Sequence, residues 1–169
     1  MKWIDVLIDG FIVGSIFNLG VFFLMEQYPH FILSMLPKKI KGENSVELDK
    51  NQASIAIKIY IFILVILFTY SITSGIRIYK DTNVGFWTLF FHAWIVTFIV
   101  NIGDAILLDL AYLNRRKEKL SKILDIPSEH FESKYIFKNL TKYEHGLLWP
   151  LVYQPIMSMI YTVTLKLLI

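Results

Sequence analysis

The 169-residue sequence contains no cysteine, which excludes disulfides, thiolate metal ligands and a cysteine nucleophile. Charge is scarce as well. Asp, Glu, Lys and Arg make up 18% of the chain, against roughly 25% in a typical soluble domain. No glycine-rich phosphate loop, serine–histidine elbow or HExxH-type motif occurs, so the usual signatures of nucleotide binding, serine hydrolysis and zinc proteolysis are missing. No repeat or low-complexity tract stands out.

The scarcity of charge is uneven. Residues 10–25, 59–76, 82–103 and 146–165 contain no Asp, Glu, Lys or Arg. Each stretch, with its flanks, reaches or approaches the ~20 apolar residues that a bilayer crossing needs. None shows the polar face that a soluble helix of such length would carry. The expectation is an all-α polytopic membrane protein: one domain over residues 1–169, with a four-helix transmembrane bundle at about 4–25, 55–76, 86–112 and 146–167. The first segment begins with Lys2 and then Asp5 and Asp9, and no small-x-small site follows its apolar run. It is expected to be a retained helix rather than a cleaved signal.

The basic residues set the expected orientation. Lys38, Lys39, Lys41, Lys50 and Lys58 surround the first loop, and Arg115, Arg116, Lys117, Lys119, Lys122, Lys134, Lys138 and Lys142 follow the third helix. These thirteen face Lys2, Arg77, Lys80 and Lys166 on the other side. The positive-inside rule then places loops 1 and 3 in the cytoplasm and both termini outside, with a bacterial cytoplasmic membrane as the expected location. The net charge of +3 is thus a topology signal, and no nucleic-acid partner is expected. In "PHFILSMLPKKIK" and "YLNRRKEKLSKIL" apolar residues alternate with lysines and arginines. The first reads as a segment lying at the interface, and the second as either continuing the third helix into the cytoplasm or bending along the headgroups. Membrane lipids, anionic ones in particular, are the expected partners, the alternative being that these charges only set topology.

Against this background "NIGDAILLDL", residues 101–110, stands out. An Asp at the centre of a membrane helix costs about 2.5–3.5 kcal/mol on insertion scales, so it should be paired, wetted or protonated. On an α-helix Asn101 and Asp104 share a face, whereas Asp109 points away from Asp104. By depth, Asn18 of the first helix, Tyr60 of the second, and Glu144 and His145 at the start of the fourth fall at the same level. Asn18, Tyr60, Asn101, Asp104, Asp109, Glu144 and His145 are therefore the candidate ligand-binding residues of one cavity open to the cytoplasm. Asp109, Glu144 and His145 are the lesser candidates for a metal, but their spacing matches no standard motif and none is assigned. No cofactor is specified. Towards the outside, Asp5 and Asp9 read as solvated, and His92 as a neutral ring hydrogen-bonded within the bundle.

Other polar and small residues read as architecture. Gly10, Gly14 and Asn18, four apart, form a stripe for close helix approach, either within the chain or in a homo-oligomer through Gly10 and Gly14. Ser71, Thr73 and Ser74 read as bonding back to their own helix. Pro150 and Pro155 should bend the fourth helix, with Gln154 as a partner for the freed backbone.

The pattern resembles a group of uncharacterised bacterial four-transmembrane-helix proteins of about this length. The residues that carry the resemblance are "LPKKI" after helix 1, "NIGDAILLD" in helix 3 and "YEH" before helix 4, the last departing by one residue from a Tyr-x-x-His pattern. It implies a fold without an activity. Three functions fit the residues: binding or transport of a small cation, a proton-coupled solute or a lipid headgroup; an enzyme acting on a lipid through Asp109, Glu144 and His145; and a non-catalytic regulatory or immunity-type protein. The first is preferred because no catalytic spacing is present, though four helices make a small transporter that would need to oligomerise.

Overall fold

In the computed structural model, which describes residues 2–41 and 49–169, the chain is helical throughout and no strand occurs among the described residues. Four helices are long and apolar enough to cross a membrane: α1 (Trp3–Gln27), α4 (Lys50–Tyr79), α5 (Phe86–Arg115) and α7 (Ser133–Leu168). Short helices α2 (Pro29–Met35) and α3 (Lys38–Lys41) follow α1, and α6 (Lys117–Leu124) lies between α5 and α7.

Local chemistry explains the ends. α1 stops at Tyr28 because the next residue is Pro29, which disfavours helical backbone before it and opens α2 from its first position. Asp49 caps α4, its carboxylate accepting from the backbone N–H groups of Asn51 and Gln52 at 3.0 and 3.1 Å. α6 ends where Asp125 turns into the left-handed region (φ 52°), a helix stop that a short polar side chain tolerates.

The long helices run antiparallel in sequence order. At one end Lys2 donates to the Ile78 carbonyl and Lys166 to the Val84 carbonyl, so both termini and the α4–α5 turn lie together. At the other, basic end, Glu26 at the foot of α1 pairs with Arg116 (2.8 Å) and Lys119 (2.7 Å). α1, α5 and α7 make the tight centre. A Cβ on Gly10 would run into the Ile99 side chain, and one on Gly14 would touch Ile99 and the Val100 backbone at 3.7–3.8 Å. The small-residue stripe thus serves packing of α1 on α5 inside the chain. α4 is peripheral: 11% of its most apolar stretch is buried, against 44% in α1. It meets α7 at Gly75, which is pressed against Tyr161 and Leu165.

The connecting segments bury their apolar side against one another. Ile32, Leu33, Leu36 and Ile40 bury against Leu120, Leu124, Ile126, Phe131 and Ile136, in one core continuous with the bundle. The apolar side of these segments is thus covered by protein, and most of their lysines stay exposed. The fourth long helix also begins earlier than residue 146. It extends back to Ser133, its polar first turns belonging to the cap.

Candidate functional site

The winding of α5 and α7 changes where their polar residues lie. α5 is α-wound over Phe86–Gly103 and then widens to π geometry over Asp104–Tyr112. α7 does the same over Phe137–Thr141 and Glu144–Tyr153, the latter taking in Pro150. Proline lacks the N–H that an α-turn requires, and π-wound turns recur at functional sites. On an α-helix, side chains five apart diverge by about 140°. Bonded i→i+5 they fall one turn apart on nearly the same side. The expectation that Asp109 points away from Asp104 therefore fails, and the cause is the winding.

His145 is the centre of the resulting cluster. Its Nε2 donates to Asp109 Oδ2 at 3.1 Å, and its Nδ1 donates to Asn101 Oδ1 at 2.6 Å. The Asn101 amide is oriented by its own Nδ2, which donates to the His145 carbonyl at 3.1 Å. Both ring nitrogens thus face acceptors, which requires a hydrogen on each. Thr141 Oγ1 completes the knot by donating to Asp109 Oδ2 at 3.1 Å. All four side chains are buried. Asp104, also buried, lies within electrostatic reach of Asp109, Glu144 and His145, yet makes no hydrogen bond or ion pair with any described residue. Tyr60 stands near Asp104 and Glu144, its ring edge-on to Phe17 at 6.2 Å. Trp149 stacks parallel to the His145 ring at 6.2 Å.

Six of the seven candidate residues are therefore brought together: Tyr60, Asn101, Asp104, Asp109, Glu144 and His145. Asn18 is not. Its amide donates back to the Gly14 carbonyl at 2.8 Å, and it packs on Gly103 in a separate groove with Leu19 and Ile102. Its depth was readable, but its rotation was not. Among the described residues no three His, Asp or Glu side chains converge as metal ligands would.

A cavity of about 400 Å³ runs from this cluster towards the termini, within the range of ~300–1,000 Å³ usual for small-molecule sites. Tyr60 and Glu144 line its basic end, and Val13, Leu67, Val96 and Val100 line its middle. Its rim is Leu64 on α4 and Tyr153 and Met157 on α7, all exposed, so it opens sideways between the two helices. The walls are overwhelmingly apolar. At its far end lie Asp9 and His92.

These two form a second knot. Asp9 is buried, not solvated as expected, and pairs with His92 Nε2 at 3.3 Å. Ser74 donates to both Asp9 oxygens at 2.8 and 2.9 Å, and Tyr70 to Oδ1 at 3.0 Å. Tyr79 lies 3.0 Å from His92 Nδ1, so a neutral ring satisfies both neighbours, and His92 is hydrogen-bonded within the bundle as expected. Asp5 stays half-exposed nearby. Ser71 and Thr73 bond back to their helix as read, but Ser74 does not. The spacing of Tyr70 and Ser74, four apart at the depth of Asp9, was the available signal. Gln154 is fully buried with both amide atoms unpaired, so it does not serve the freed backbone as expected.

Comparison with protein-family models, with curated proteins and with solved structures gives no match, so the geometry alone carries the functional reading.

Proposed function

We propose that this is an integral membrane protein that binds a lipid-embedded amphiphile, with the ligand's polar head at the Asp104–Glu144–His145 cluster and its chain in the adjoining cavity. Both termini lie outside and the basic cap lies in the cytoplasm, as the thirteen-to-four distribution of Lys and Arg favours. The exposed lysines of the cap, Lys38, Lys39, Lys122 and Lys134 among them, would then sit against anionic headgroups.

The observation that carries this reading is the sideways-open, apolar-walled cavity that ends at Tyr60, Glu144 and Trp149. A route for a hydrated ion needs polar walls, because apolar cavities stay dry. A chain-bearing ligand needs what is present: apolar walls, an opening towards the hydrocarbon and polar groups at one end. The enzyme reading is less well supported. A general base must offer a free site to its substrate, and both nitrogens of His145 are already committed.

The test is mass spectrometry of lipids retained after purification in mild detergent, on the native protein and on Val96→Phe, which fills the cavity. The native protein should retain a defined lipid that the variant, equally well folded, does not. Identical lipid profiles would remove the proposal. Orientation is tested separately: a cysteine at Ser121 should be labelled only after permeabilisation.

A further inference from the structure

A groove of about 600 Å³ lies between α1 and α5, away from the lipid cavity. It opens outward: Phe11, Ser15, Leu19 and Phe22 of α1 and Ile102 and Leu107 of α5 line it and are exposed. Gly103 lies between the two helices, where a Cβ would run into the Asn18 amide. With only glycine and the short Ser15 at this level, another helix can approach closely.

Asn18 is the independent pointer to an occupant. It lines the groove and is more than nine-tenths buried (7% exposed). Its Nδ2 donates to the Gly14 carbonyl at 2.8 Å, but its Oδ1 finds no donor among the described residues. A buried acceptor left in that state is costly. Depth decides what can supply the donor. Asn18 lies about 13 Å along α1 from its basic end at Gln27, near the middle of a hydrocarbon layer of ~30 Å. Acyl chains carry no donor, and headgroups do not reach that level. A donor there comes from another transmembrane helix.

We infer that the groove receives α1 of a second copy of this chain, in a twofold pair in which the Ser15 hydroxyl of each copy donates to Asn18 Oδ1 of the other. The inference shares the membrane setting of the proposed function but not its cavity, which uses Val13 and Phe17 on the opposite side of α1. Two copies inserted in one orientation bring α1 against α1 in parallel, with equal residues at equal depth. A twofold interface must be self-complementary. Ser15 and Asn18, a donor and an acceptor one turn apart, meet that condition, and they are the only hydrogen-bonding side chains that line the groove. Phe11, Ser15, Asn18 and Phe22 follow one another at steps of four, three and four, the seam spacing of paired helices. Lipid would cover the two phenylalanines equally well, but it would leave Asn18 Oδ1 unmatched.

The chain has no cysteine, so single introduced thiols report the contact without background. Phe11→Cys, Ser15→Cys and Phe22→Cys on α1, and Thr69→Cys on the exposed side of α4, are oxidised with copper phenanthroline in native membranes. At least one of the α1 variants should form a disulfide-linked homodimer, and Thr69→Cys should stay monomeric. No homodimer from any α1 variant overturns the inference, as does equal linkage through Thr69→Cys or linkage of the α1 variants to a different protein alone. Dimerisation is then followed by fluorescence energy transfer on dilution in lipid vesicles. Asn18→Ala should dimerise roughly tenfold more weakly than the native protein, because both reciprocal bonds are lost. Dimerisation unchanged in Asn18→Ala overturns the assignment to Asn18. Should that variant fold poorly, Ser15→Ala, at an exposed position, must show the same loss. Release of the native protein from membranes by alkaline carbonate would overturn both the pair and the lipid site, whereas absence of the dimer alone leaves the lipid site standing.

Discussion

The molecule contains two Asp–His pairs, one towards each end of the bundle, and they have opposite characters. Asp9 and His92 sit on straight α-wound helices, and every polar atom of the pair finds a neighbour of complementary type: two hydroxyls on the carboxylate, a tyrosine on the free nitrogen. Asp109 and His145 sit on π-wound turns, the ring faces two acceptors, and a further buried carboxyl group, Asp104, stands near it without a partner. A closed network of donors and acceptors rigidifies a bundle, whereas an excess of one kind leaves something for a ligand to complete. The termini end is a closed fastening, and the basic end is where the proposed ligand site lies.

Removing Asp9 should be the most damaging single change. Asp9→Ala strands Ser74, Tyr70 and His92 in the core and should lower stability by about 3–5 kcal/mol, the usual range for breaking a buried pair from one side; detergent-solubilised thermal or denaturant unfolding would report it. His145→Leu should cost less, about 1–3 kcal/mol, because Asp109 keeps Thr141 and the rest of its surroundings. If the two losses were equal, the distinction between a closed and an open network would not hold. Gly10→Val should cost ~1–2 kcal/mol by overpacking against Ile99, while Gly14→Ala, with room for its Cβ at 3.7 Å, should be near silent. Equal effects at Gly10 and Gly14 in the same unfolding assay would mean that α1 does not approach α5 as described. Smallest of all should be Asp104→Leu, within roughly ±0.5 kcal/mol. It strands no partner, and its effect should appear in ligand retention rather than in unfolding.

Much of this contrast could not be read from the chain. Charge-free stretches placed all four long helices, because bilayer thickness and helix rise translate directly into length. The level at which Tyr60, Asn101, Asp104, Glu144 and His145 meet was also readable, since depth along a helix is a count of residues. Rotation is not such a count. Asn18 has the right depth and the wrong azimuth, and Asp9 with His92 lay at one level without any sign that they face each other. Asp109 was placed on the wrong side because α-periodicity was assumed where the backbone is π-wound. The packing of the cap was hidden for a different reason: a helix with one apolar face specifies that the face is covered, not whether lipid or protein covers it.

The π-wound run Asp104–Tyr112 also has a consequence in the language of codons. A wide turn holds more residues than an α-turn over the same stretch of axis, so it behaves as a register insertion that the helix has kept. Deleting one residue from the 104–109 interval would let the backbone relax to α-winding with the two aspartates four apart, again one turn apart on one side, so the downstream register would be kept. What would separate the pair is α-winding with the five-residue spacing kept, which would turn Asp109 about 140° from Asp104 and away from His145. The helix itself would remain intact, as long and as apolar as before. At this site the winding between two aspartates is therefore as much a part of the cluster as the aspartates themselves.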